Sequence, residues 1–99
     1  MLGVYTIYDR KGEMFLGLMT HANDAVASRS LRLEFEQKPL TPIVRFPDDY
    51  DLFCIGAYDE QSGQIRPVFP GRLVCSCRTL VEDAVDRSAV SETKPNGES

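Results

Sequence analysis

The chain has 99 residues, of which 42% are apolar, and a formal net charge of −4. This is enough for one domain with one core, and too apolar a composition for wholesale disorder. The acidic balance argues against a protein that grips nucleic acid by charge alone, and no window holds the roughly eighteen apolar residues of a membrane span.

Charge is unevenly spread. Residues 1–45 carry six bases (Arg10, Lys11, Arg29, Arg32, Lys38, Arg45) against five acids, whereas residues 82–99 carry five acids against Arg87 and Lys94. Acidity therefore gathers toward the C-terminus. Met1-Leu2-Gly3-Val4-Tyr5 lacks the basic stretch that opens a signal peptide, so a cytosolic location is expected. Cys54, Cys75 and Cys77 are an odd number without the spacing of a zinc site, and are expected as reduced thiols filling small apolar sites.

Val4-Tyr5-Thr6-Ile7-Tyr8 is a strand by composition, with Val4, Thr6 and Tyr8 on one face and Tyr5 and Ile7 on the other. Asp9-Arg10-Lys11-Gly12 reads as a turn, and Met14–Met19 as a returning strand or a covering loop, weakened by Gly17. Asn23 is a good N-cap and Asp24 complements the dipole of a helix expected from Asp24 to Glu36. Its buried stripe is Ala27, Leu31 and Phe35, while Arg29 and Arg32, three apart, project from another side as either a basic patch or a solvated face.

Pro39 and Pro42 end the helix, and Ile43-Val44-Arg45-Phe46-Pro47 is expected to be extended. Asp48, Asp49 and Asp51 surround Tyr50. These acids could cap a turn or hold a hard cation, although no converging oxygen ligands are evident. Leu52 to Tyr58 alternates as a strand, Asp59 to Gly63 forms a turn, and Gln64 to Val68 returns. Pro67 cannot donate to a ladder, so the return strand is expected at a sheet edge or with its N–H side facing outward. Phe69-Pro70-Gly71 is expected to turn. Arg72–Asp86 is ambiguous, with an extended segment near Leu73–Cys77 and helical tendency over Thr79–Val85. From Ser88 the residues are small and polar, so residues 1–87 are expected as one α+β domain and 88–99 as a flexible tail.

Catalytic groupings are absent from the pattern. No phosphate loop or nucleophile elbow is present, and His21, just before Asn23, is the one imidazole. The expectation is a non-enzymatic protein without metal or cofactor. Binding is easier to argue, because aromatics on a sheet, among them Tyr5, Tyr8, Phe15, Tyr50, Phe53 and Tyr58, can stack unpaired bases or fill a core. Tyr8 and Tyr58, next to turns, are least committed to the core.

Three blocks keep an order that is recognisable: Tyr5-Thr6-Ile7-Tyr8-Asp9-Arg10-Lys11, Asn23-Asp24-Ala25-Val26-Ala27-Ser28-Arg29-Ser30, and Pro47-Asp48-Asp49-Tyr50 through Asp59 with Gly63 following. Together they resemble the small nonstructural protein of gokushovirus-type microviruses, icosahedral single-stranded DNA phages. The resemblance covers about residues 4–68. It implies a protein of the infected bacterial cytoplasm that is absent from the virion and serves single-stranded DNA synthesis and packaging, with DNA binding by analogy. Asp24 and Arg29 fall in its Asn-Asp-Ala-Val block, Asp49 and Tyr50 in its Pro-Asp-Asp-Tyr block, and it implies no catalytic residue.

The expected architecture is thus a small antiparallel sheet in the order β-β-α-β-β with one helix packed on one face, as a homodimer or higher oligomer. Two functions follow from it. One is single-stranded DNA binding through Arg10, Lys11, Arg29, Arg32, Tyr8 and Tyr58. The other is a protein-interaction module engaging viral replication or assembly proteins, or a host factor.

Overall fold

Tyr5 and Ile7 leave the first strand on one side, Val4 and Thr6 on the other, and all four are buried. A strand closed on both faces belongs inside a sheet. In the computed structural model, which describes residues 1–93 and side chains as far as Asp86, that strand is β1 (Leu2–Asp9). It pairs with β2 (Met14–His21) on one flank and β3 (Tyr50–Tyr58) on the other. β4 (Ile65–Ser76) adds to β3, and the antiparallel order is β2-β1-β3-β4.

Helix α1 (Asp24–Gln37) carries the chain from β2 toward β3. Asn23 caps it by accepting from the Val26 N–H at 2.9 Å, and Ala27, Leu31 and Phe35 are its buried stripe, as the periodicity predicts. A second helix, α3 (Cys77–Thr93), lies beside it. Cys77, Leu80, Val81 and Ala84 join Tyr5, Ile7, Leu52, Cys54 and the α1 stripe in one core. The helical layer therefore holds two helices where the sequence points to one. Spacings of three, four and seven residues from Cys77 supply the second buried stripe. The helical backbone continues past Ser88, where a flexible tail is expected to begin, and the rest of that expected tail, residues 94–99, lies outside the described residues.

The β3–β4 turn follows its residues. The Asp59 carboxylate accepts from the Gln61 N–H at 3.0 Å, and Gly63 has φ of 77°, the left-handed conformation that glycine adopts without penalty. β4 is an edge strand, in keeping with Pro67.

Two expectations are corrected. The segment after Thr41 is not extended: Pro42–Arg45 forms a helical turn, α2, because a proline at the first helical position gives up an N–H that would be unpaired anyway. Only Phe46, held by Pro47 after it, leaves the helical region. Nor do Phe69, Pro70 and Gly71 end the sheet. β4 runs through them, because Arg72, Leu73, Cys75 and Ser76 resume pairing with β3. Val68 to Gly71 bulge opposite Ile55 alone, which leaves Phe69 94% exposed.

If α3 is part of the core, Leu80→Ala should cost about 2–5 kcal/mol, comparable to Leu31→Ala. Urea denaturation of the two variants checks this, and a near-neutral Leu80→Ala would place α3 outside the cooperative unit.

Candidate nucleic-acid interface

Because Tyr5 and Ile7 face the helices, Tyr8 projects from the helix-free face of the sheet. The β1–β2 register sets it opposite Phe15, with ring centroids 4.7 Å apart, and Phe53 of β3 completes the group at 6.3 Å from Tyr8 and 6.1 Å from Phe15. The last two contacts are edge-to-face, the geometry aromatic quadrupoles favour. Phe15 is nevertheless 57% exposed, so this cluster is a surface and not a second core. Phe53 also pairs with Leu73 of β4, which extends the apolar face.

The turn next to the cluster carries Arg10 and Lys11. The Arg10 guanidinium donates to the Asp51 carboxylate at 2.9 Å, and its backbone N–H donates to the Asp49 carbonyl. Lys11 is exposed and enters no ion pair among the described residues; its backbone N–H is held by Asp9 at 3.0 Å.

The other predicted residues lie elsewhere. Tyr58 ends β3 opposite Leu2 and Ile65, at the far end of the sheet from Tyr8. Arg29 is exposed on α1, in a groove shared with His21, Ser30 and Lys38, on the opposite side of the molecule from the aromatic face. Arg32 is half-buried with Glu36 at 3.9 Å, so the two arginines do not form one patch. Phe15 and Phe53 are the residues that complete the cluster around Tyr8. Phe15 was legible in principle, since residues equally far from the turn pair across a hairpin.

Among the described residues, Arg10, Arg32, Lys38, Arg72 and Arg78 are paired with carboxylates. Arg78 of α3 bonds both oxygens of Asp48, at 2.8 Å for the Nη2 contact, and also reaches Glu82. That pairing holds the Asp48 carboxyl below its usual range. Asp48, Asp49 and Asp51 thus do not cap a turn through their side chains, as one alternative expected; Asp48 and Asp51 serve arginines instead.

A second polar junction fixes α1 to the sheet. The Asp24 carboxylate takes two bonds from Arg72 of β4, at 2.7 and 3.1 Å, and one from the Tyr5 hydroxyl at 2.8 Å. Arg72, then Tyr5, lowers the Asp24 pKa, whereas burial, reinforced by Asp24, pushes Tyr5 up to about 12. The thiols are quiet: burial raises Cys75 and pushes Cys77 up to about 12, so both stay protonated at neutral pH and are poor nucleophiles. Among the described residues, no three His, Cys, Asp or Glu side chains gather as a metal site, and no helix is long and apolar enough to cross a membrane.

A small α+β domain with an open aromatic sheet face is the frame in which the family match falls. The model that matches describes a bacteriophage protein. The chain belongs to the Phage ORF5 protein family, whose model matches residues 2–80, from β1 into the first turn of α3. Comparison with curated proteins and with solved structures gives no match.

The Asp24 junction carries a pH signature. A carboxylate whose folded pKa is depressed adds stability that is complete above the unfolded value, near 3.8, and is lost as pH falls through the lower folded value. The stability gap between the wild type and Asp24→Asn should therefore be constant from neutral pH down to about 5 and shrink below about 4. Thermal unfolding across that range measures it; a gap that widens in acid would exclude the pairing as its source.

Proposed function

We propose that this phage protein is a non-enzymatic accessory of the infected bacterial cytoplasm that binds single-stranded DNA during genome synthesis or packaging. The observation that carries the reading is the Tyr8, Phe15 and Phe53 cluster on the helix-free face, set beside Arg10 and Lys11. Unpaired bases stack on such rings irrespective of sequence, for about 1–3 kcal/mol per base. Lys11, which has no ion pair among the described residues, can take a phosphate as it stands, and Arg10 can do so in exchange for Asp51. The resemblance to the nonstructural protein of gokushovirus-type microviruses supports the same setting, since those phages carry single-stranded genomes.

With Arg10 paired to Asp51, Lys11 is the one unpaired cation of the β1–β2 turn, so stacking must supply most of the affinity. Binding of an oligothymidylate should fall with salt along a shallow slope of about one to two released ions. Phe15→Ala should weaken binding about 5- to 100-fold, the equivalent of one stacked base. Lys11→Ala should reduce the salt slope by about one. Fluorescence anisotropy at several salt concentrations reads all three effects. Absence of binding at low salt, or a Phe15→Ala variant that binds as the wild type does, would end this reading.

A second reading is favoured by one observation. Phe69 stands almost wholly in solvent at the bulge of β4, flanked by the exposed Val68. An apolar residue so presented suits docking to a replication or capsid-assembly protein.

A further inference from the structure

The two edges of the sheet are built differently. β4 carries Arg66, Pro67, Pro70 and Arg72, which are charges and missing donors of the kind that keep other strands from adding to an edge. β2, Met-Phe-Leu-Gly-Leu-Met-Thr-His, has neither a proline nor an Asp, Glu, Lys or Arg in its eight residues. An edge without those protections is a pairing surface.

Its one irregularity is a bulge. Tyr5 pairs with Met19 and Ile7 with Leu16, so Gly17 and Leu18 lie opposite Thr6 alone. Thr6, 1% exposed, fixes the bulge because its hydroxyl proton is shared between the carbonyls of Leu16 and Gly17, the latter at 2.7 Å. Leu18 is left 68% exposed at the rim of a groove between β2 and the helical layer. Leu16, Met19, Leu31, Phe35 and Ile43 line that groove. Glu34 is the one Asp, Glu, Lys or Arg among its lining residues, and it is paired with Lys38.

We propose that the β2 edge is the contact between two copies of this chain, related by a twofold axis, with Leu18 of each copy seated in the groove of the other. Knob and hole lie side by side on one edge, which is the condition for an isologous contact. Self-complementarity favours a second copy, since the exposed Leu18 and the groove share one edge, and charge selects that edge: an antiparallel β2 pair brings no like charges together, whereas two β4 edges would oppose arginines. The bulge limits ladder pairing to short stretches on either side and so pins the register at Leu18. The paired edges leave the helix-free faces open and set two aromatic clusters in one wider sheet. The inference is independent of DNA binding.

Sedimentation equilibrium of the full chain without DNA, at micromolar concentration, tests it. The wild type should have twice the chain mass, Leu18→Lys the chain mass, and Leu73→Lys, exposed on β4 and outside the β2 edge, should remain a dimer. Circular dichroism reports whether Leu18→Lys is folded; if it is not, Leu18→Ala, which adds no charge, should still show at least a tenfold weaker dimer. A monomeric wild type, a dimer untouched by either Leu18 substitution, or one lost only in Leu73→Lys would overturn the proposal.

Discussion

The arrangement depends on β1 lying in the middle of the sheet although it comes first in the chain. Its backbone bonds are taken up by β2 on one flank and β3 on the other, and its side chains are buried on both faces. A hairpin alone is marginal in water, so the β1–β2 unit becomes stable only when β3 arrives to close the second flank. Helix α1 makes that return possible. Asp24, at its first turn, binds Tyr5 of β1 and Arg72 of β4, so one carboxylate joins the central strand, the helix and the far edge.

That economy of charge bears on what the protein can bind. Arg10, Arg32, Lys38, Arg72 and Arg78 each have a carboxylate within ion-pair distance, and Arg45 lies over the Phe46 ring at 5.6 Å. Cations used internally cannot release counterions from a polyanion without first breaking their own pairs. An acidic chain built in this way must rely on rings more than on charge for any hold on nucleic acid, and the open sheet face supplies them.

Local signals read correctly wherever the backbone obeys its neighbours in sequence. Asn23 and the Ala27, Leu31, Phe35 stripe mark α1, and Asp59 with Gly63 marks the β3–β4 turn, because capping and turn chemistry are settled within a few residues. Reading fails where distant partners decide. Phe69-Pro70-Gly71 carries every local mark of a turn, yet pairing of Arg72 to Ser76 with β3 holds the chain in the sheet. Pro42 looks like a breaker when seen from α1 and acts as a helix start when seen from Thr41. The predicted binding residues show the same limit: Tyr8, Arg10 and Lys11 share a neighbourhood because they are adjacent in sequence, while Phe15 and Phe53 join them only through strand register. Arg32 was indistinguishable from Arg29 until the packing of α1 against its neighbours half-buried one and not the other.

The cysteines sit on the helical side, with Cys54 and Cys77 closed in the core and Cys75 half-covered nearby. An alkylating reagent can reach Cys77 only when the first turn of α3 lifts from the sheet. The rate of that modification in native buffer therefore reports opening around Cys77, whether that turn lifts alone or with the rest of the core, and the protein carries its own probe for it without any engineered label.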